Sequence, residues 1–309
     1  MRRREFIAGG LAAAKLSRAN WLASDGAQHL YNLDYERALN TFEAESRRDL
    51  AGDAHNDLAS AILYSALFKA DALDGSVALG ISDYLHKPKV ILPAVDRVRF
   101  QQATKKAEEL ARSLLSTNPN NAAAMFTLGQ AFTERANLAL LADKEWRAAL
   151  KASGEARKLH LRVLELDGTM IDALLVPSAH EYIIGSLPAY LKAMGFLVGL
   201  SGNKEKGLAG LRKVAVSGNR TKLEAEVLLA LVERREDRPD RALPIMRKLA
   251  TAYQSNHLYR REVVNLLLDM KKKDEARSEI SQLSDARYRF LRPERKAIYQ
   301  HEFEARLRA

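Results

Sequence analysis

Residues 238–249, RPDRALPIMRKL, and residues 272–283, KKDEARSEISQL, carry matching residue types 34 positions apart. The alignment places small over small and large apolar over large apolar residues: Ala242 over Ala276, Met246 over Ile280 and Leu249 over Leu283. Positions separated by four and then three residues lie on one face of an α-helix. This stretch therefore predicts a repeated helical unit.

The same register recurs upstream in three further stretches. Residues 35–46, YERALNTFEAES, place an aromatic, a small and a large apolar residue at Tyr35, Ala38 and Phe42. Residues 105–121, KKAEELARSLLSTNPNN, carry the small residue at Ala107. Within residues 121–141, a Leu-Gly pair at Leu128 and Gly129 is followed by an aromatic residue at Phe132.

The 34-residue period and the Leu-Gly-aromatic spacing resemble the tetratricopeptide-repeat superfamily. The resemblance implies an all-α solenoid of stacked antiparallel helix pairs, because one pair cannot bury its apolar face alone. We expect about six pairs over residues 22–283 and a C-terminal capping helix over 284–309. The predicted pairs are 22–53, 55–71 with 99–116, 122–141 with 144–166, 171–184 with 204–216, 222–255, and 257–283.

The first interruption of this pattern covers residues 74–99, DGSVALGISDYLHKPKVILPAVDRVR. Long loops inside a compact array are often functional. The aromatic and cationic residues Tyr84, His86, Lys87 and Lys89 are candidate partner-binding residues. The alternative is an extended segment that packs on the solenoid through residues 90–92, Val-Ile-Leu.

The second interruption covers residues 185–203 and contains an apolar stretch at 187–200. Such a stretch is either buried or lies at a membrane surface. Residues 185–211, GSLPAYLKAMGFLVGLSGNKEKGLAGL, resemble the eukaryotic tetratricopeptide family that includes the yeast inclusion-body clearance protein. That resemblance implies roles in protein clearance or organelle contacts without an established reaction. Leu200 and Asn203 depart from the family's Phe and Asp.

The first residues, MRRREFIAGGLAAAKL, resemble a twin-arginine export signal. Residues 1–21 are therefore interpreted as a bacterial signal or as an N-terminal helix. An export signal predicts a periplasmic location. If these residues are instead an N-terminal helix of the folded protein, a cytoplasmic location is the alternative.

No pattern in the sequence predicts catalysis. The chain has no cysteine, and none of its seven histidines has a second histidine three or four residues away. Gly202 and Gly207 have phosphate-loop spacing, but Leu208 and Ala209 follow instead of Lys and Ser/Thr. We therefore expect no catalytic, cofactor-binding or metal-binding residues, and a chain that is not an enzyme. The remaining alternative that involves an enzyme is a role as a subunit of an enzyme complex.

The net charge is +10, and residues 204–309 carry most of it, with 25 Lys/Arg against 16 Asp/Glu. Acidic residues are interspersed among these cations, which favours an ion-paired surface over nucleic-acid binding. We expect a scaffold that binds a protein or peptide partner in the concave face of the solenoid. The alternative is a membrane-surface adaptor that uses residues 187–200.

Overall fold

A computed structural model describes residues 21–73, 84–187 and 201–308. Within these ranges the chain forms thirteen α-helices and no strand, so the all-α prediction is confirmed. The helices are α1 Asp25–Tyr31, α2 Tyr35–Ser46, α3 Asp53–Lys69, α4 Ala94–Thr117, α5 Ala122–Asn137, α6 Trp146–Leu166, α7 Leu175–Gly185, α8 Lys204–Ser217, α9 Lys222–Arg235, α10 Pro239–Ala252, α11 His257–Asp269, α12 Lys273–Gln282 and α13 Pro293–Arg308.

Two sequence predictions fall outside the described residues. They are the export-signal motif at the N-terminus and nearly all of the apolar stretch 187–200. No helix in the described ranges has the length and apolar character that a membrane span requires.

Short polar side chains cap several helix N-termini, where backbone N–H groups have no partner within the helix. The Ser24 hydroxyl accepts a hydrogen bond from Ala27 N, and the Asn121 side chain accepts one from Ala124 N. Asn256 accepts from both Leu258 N and Tyr259 N at the start of α11. These residues help to fix where each helix begins.

Every helix packs against its successor along the chain, from α1 on α2 to α12 on α13. The contacts are repeat-like in this sense, because each helix finds its main neighbours nearby in sequence. Small alanine side chains allow neighbouring helices to approach each other closely. The alanines Ala38, Ala107, Ala242 and Ala276 are each fully buried.

Helix α3 departs from the pattern of an array helix with one buried face. Its consecutive residues Ala61, Ile62 and Leu63 are all 2% exposed or less. Three successive residues span more than half the circumference of a helix, so α3 is covered almost all round. Besides α2 and α4, it packs against α5, and its Asp57 pairs with Arg220 from the C-terminal half.

Helix α4 begins earlier than the sequence predicts. The first interruption is expected to extend to residue 99, but the helix starts at Ala94. Pro93 precedes its first turn, where a missing N–H costs no helical hydrogen bond, and Asp96 complements the helix dipole. The capping segment differs as well, because only Pro293–Arg308 of residues 284–309 is a helix.

Candidate functional site

A buried polar cluster lies where the first helices contact the C-terminal half of the chain. It consists of Tyr31 from α1, Asp57 from α3, Glu134 from α5, Arg220 from the turn before α9 and Glu224 from the first turn of α9; we call it the junction cluster. Arg220 Nη2 donates to Asp57 Oδ1 over 2.5 Å, and Tyr31 Oη donates to Glu224 Oε1 over 2.5 Å. Residues more than 160 positions apart are thereby joined.

Trp21 packs against one side of the junction cluster. Its indole Nε1 donates to Asp57 Oδ2 over 3.4 Å, and the Arg220 guanidinium carbon lies 5.1 Å from the ring centroid. Its backbone N–H donates to Asn219 Oδ1 over 3.2 Å. The attraction between the guanidinium and the indole face adds to that of the Arg220–Asp57 ion pair.

Burial dominates the electrostatics of the junction cluster, because taking a carboxylate out of water disfavours its charged form. Burial raises the pKa of Asp57 to about 6, against the opposing effect of the Arg220 charge. It raises the pKa of Glu134 to about 8, with nearby Glu224 and Asp57 adding to the rise. The pKa of Glu224 is raised to about 7 by burial, although the Tyr31 hydrogen bond acts against the rise.

A small cavity of about 30 Å³ lies among these side chains. Three buried oxygens of its lining residues have no hydrogen-bond partner in the described part of the chain, namely Asn56 Oδ1, Glu134 Oε2 and Glu224 Oε2. A space of this size holds about two water molecules. An organic substrate does not fit into it.

Metal-binding geometry is absent from the described residues, in which no three His, Asp or Glu side chains form a group that could hold an ion. His160 is fully buried and stacks on Phe126, with ring centroids 5.2 Å apart. Burial lowers the pKa of His160 to about 4, and the pKa of His257 also falls to about 4 for the same reason. Both are neutral residues of the core at ordinary pH.

The connection before α4 is held against the end of α5. Val90 N donates to Ala142 O over 2.9 Å, and Tyr84 Oη donates to Leu141 O over 3.1 Å. The Lys144 ammonium lies 3.5 Å from the Tyr84 ring centroid. Tyr84 is only 3% exposed, and partner contact at this position stays an untested prediction. It anchors the connection.

His86, Lys87 and Lys89 of the same connection are exposed. Beside them, Ile91, Val95 and Val98 form what we call the outer row, with exposed fractions of 88%, 65% and 49%. The expectation that all of residues 90–92 pack inward is wrong for Ile91. Alternate side chains of an extended segment point to opposite sides, so Ile91 faces outward while its two neighbours are buried.

The repeat positions identified in the sequence lie mostly in the core. Eight of them are buried: Tyr35, Ala38, Phe42, Ala107, Leu128, Gly129, Ala242 and Ala276. Phe132 is half-buried, and the Arg135 guanidinium lies over its ring at 5.3 Å.

The glycines with phosphate-loop spacing allow a close helix contact. A Cβ atom at Gly207 would lie 2.5 Å from Tyr182 N and 2.7 Å from Ser178 O, both on α7. Helix α8 therefore approaches the backbone of α7, and this contact accounts for the glycine without a bound phosphate.

Many cations of the C-terminal third are ion-paired. Arg234 contacts Glu262 at 2.8 Å and Asp269 at 2.6 Å, and Arg247 contacts Glu275 at 2.6 Å. The cations and anions that are interspersed in the sequence form ion pairs with one another on the surface. Such a network leaves less uncompensated charge for a phosphate backbone.

Sequence reasoning missed the junction cluster. A signal exists for Asp57, which lies one position before the apolar run of α3 and therefore close to a buried face. Arg220 carries no comparable signal, because it lies in a short polar turn between two helices. Periodicity finds neighbours on one helix, and it does not find a pair that is 163 positions apart.

Comparison with known proteins assigns no family, since no protein-family model and no curated protein matches this chain.

Proposed function

We propose that the chain is a non-enzymatic, tetratricopeptide-like helical scaffold that binds a protein partner through the outer row. The observation that carries this proposal is the exposure of Ile91 just before α4 and of Val95 and Val98, three positions apart, in the first turns of α4. Exposed apolar surface next to polar residues is typical of interaction sites.

The concave face was the expected binding surface. Beside α3, the junction cluster leaves a cavity of only about 30 Å³. A wider, open cavity of about 330 Å³ lies next to it, lined by mainly polar groups of Gln28, Asn219 and Lys222 together with Leu22 and Tyr253. The exposed branched side chains of the outer row favour it as the docking surface for an apolar helix face.

The chemistry of the surface indicates the class of partner. Lys87 and Lys89 are exposed on the connection that leads into the outer row, and the Lys89 ammonium lies 3.8 Å from the Glu145 carboxylate. An amphipathic helix with apolar side chains on one face and acidic side chains beside them complements this surface. The proposed partner is a protein segment of that kind.

Two synthetic helical peptides test the proposal, with leucines at identical positions and either glutamate or lysine beside them. In fluorescence anisotropy at low salt, we expect the glutamate peptide to bind the full chain more tightly. Ile91→Asp and Val95→Asp should each weaken binding about tenfold, because a charge replaces an apolar contact. Val216→Asp is the matched control, since Val216 is 73% exposed on α8.

Absence of binding by the glutamate peptide would count against the proposal, as would an equal loss in the Val216→Asp variant. Flotation with anionic phospholipid vesicles, together with no peptide binding, would favour the membrane-surface role predicted for residues 187–200.

A further inference from the structure

The open cavity of about 330 Å³ is walled by two parts of the chain that are distant in sequence. Leu22 and Gln28 contribute from its beginning, and Asn219, Lys222 and Tyr253 contribute from the C-terminal half. Sites for small organic molecules measure about 300–1,000 Å³, so this cavity has the volume for a small one. It shares no residue with the outer row or with the junction cluster.

Hydrogen bonds within the chain hold the polar walls of the cavity in place. Asn219 Oδ1 accepts from Trp21 N over 3.2 Å, and Gln28 Nε2 donates to Leu22 O over 2.6 Å. Asp172 Oδ1 accepts from Asn219 N over 2.9 Å and so fixes the turn before α9. A site that is formed in advance binds without the cost of ordering its walls.

The charge of the cavity wall is positive. Lys222 is the only charged residue that lines it in the described part of the chain, and no described residue forms an ion pair with this lysine. Lys222 Nζ donates to Val216 O over 3.1 Å, but an ammonium group has three N–H donors. Two donors therefore remain for a molecule in the cavity.

Tyr253 adds a hydroxyl group and an aromatic face to the same cavity. It is 6% exposed, and its ring packs edge-on against Tyr31 and Tyr259, with centroid distances of 5.5 Å and 6.2 Å. Its hydroxyl has no hydrogen-bond partner within the described ranges. The hydroxyl of a buried tyrosine usually finds a partner, so this one is suited to a ligand.

We propose that this cavity binds a small organic carboxylate that carries an apolar side chain. The carboxylate accepts hydrogen bonds from the Lys222 ammonium and the Tyr253 hydroxyl, and the side chain packs against Leu22 and the Tyr253 ring. An ionised carboxylate only accepts hydrogen bonds, and therefore complements a wall with free donors and no acidic residue. A free small acid and the C-terminal residue of a peptide both present this chemistry.

Isothermal titration calorimetry of the full chain with N-acetyl-leucine and with its amide tests the proposal. The two probes differ only in the exchange of the carboxylate for a neutral carboxamide. We expect the acid to bind at least about tenfold more tightly, because its hydrogen bonds to the ammonium are charge-assisted. Equal binding of acid and amide, or no saturable binding of the acid at millimolar concentration, would overturn the proposal.

Two variants locate the binding site. Lys222→Gln should weaken binding of the acid about tenfold, and Tyr253→Phe, which keeps the ring, should weaken it about threefold. Lys213→Gln is the matched control, because Lys213 is exposed on α8 and does not line the cavity. Unchanged affinity in both folded variants would also overturn the proposal, since the acid would then bind elsewhere.

An N-acetylated tetrapeptide that ends in leucine with a free carboxylate separates the two sources of the ligand. Tighter binding than that of N-acetyl-leucine would assign the site to the C-terminus of a peptide. Weaker binding would assign it to a free small acid. Both results support a carboxylate site, provided that Lys222→Gln reduces the binding.

Discussion

Gly129 lies against the imidazole ring of His160, so that a Cβ atom at position 129 would be 2.5 Å from both Cδ2 and Nε2 of that ring. The ring cannot retreat easily, because His160 is fully buried and its other face stacks on Phe126. Helices α5 and α6 are therefore packed at a distance that only glycine permits at this position.

Gly129→Ala should destabilise the protein by about 1–3 kcal/mol, because an extra methyl group in a packed core forces neighbouring side chains out of place. Urea denaturation followed by circular dichroism measures the change. The alanine preference of helix interiors acts in the opposite direction, so a loss of stability identifies the steric conflict as the larger effect.

Gly154→Ala is the matched control within the same helix pair. Gly154 lies inside α6, and a Cβ atom there would meet no other atom within 4 Å. This substitution should stabilise the chain by about 0.4–1 kcal/mol. Similar losses in both variants would contradict the role assigned to the contact between Gly129 and His160.

The helices could be predicted from the sequence because their signals are local. Ala242 and Ala276 share a register that marks one helix face, and Leu128-Gly129 marks a close helix contact. The junction cluster could not be predicted in this way. The partners of Arg220 and Tyr31 lie on helices that are distant in sequence, and no spacing along the chain encodes which distant helices meet.

The connection before α4 shows a second limit of sequence reasoning. Val90, Ile91 and Leu92 are equally apolar, so their composition predicts that all three are buried. These residues lie outside any helix, and the middle side chain faces solvent while its two neighbours are buried. The local backbone conformation determines which side chain faces solvent, and hydrophobicity alone does not predict it.

Leu92→Ala and Ile91→Ser should therefore have very different effects on stability. Leu92 is 3% exposed, and its truncation should cost about 2–4 kcal/mol through lost burial and a residual cavity. Ile91 is 88% exposed, and its replacement should change stability by less than about 0.5 kcal/mol. Thermal and urea denaturation of both variants measure the difference. A large loss in Ile91→Ser would show that the outer row is covered by another part of the chain.

The buried histidines should weaken the fold at acid pH. The pKa of His160 is lowered to about 4 by burial, while the ordinary value is 6.5. The unfolded chain therefore binds more protons between about pH 6.5 and 4, and stability falls as the pH decreases through this window. His160→Leu removes this proton uptake, so its stability relative to the wild type should increase as the pH falls.

The measurement is the difference in unfolding free energy between His160→Leu and the wild type at several values from pH 7 to pH 4.5. Taking the difference cancels the opposing contribution of the junction cluster. A second variant, His257→Leu, should behave similarly, because the pKa of His257 is also lowered to about 4. A constant difference across this range would contradict the prediction.

Arg220→Gln should be among the most damaging substitutions at alkaline pH. The guanidinium is the charged partner of Asp57 and has a side-chain exposure of 15%. Removing one member of a buried ion pair leaves the other unpaired and costs about 3–5 kcal/mol. The loss should be smaller at pH 5.5, because the pKa of Asp57 is already about 6 and the carboxyl group can take up a proton.

Unfolding in urea at pH 5.5 and pH 8 measures both effects. Adding Asp57→Asn to Arg220→Gln should recover part of the stability at pH 8, since no unpaired carboxylate remains at position 57. Arg162→Gln is the control, because Arg162 pairs with Glu165 on the exposed surface of α6 and its loss should change little. If Arg220→Gln were no more harmful than Arg162→Gln at pH 8, the contact between the first helices and α9 would depend on apolar packing rather than on this pair.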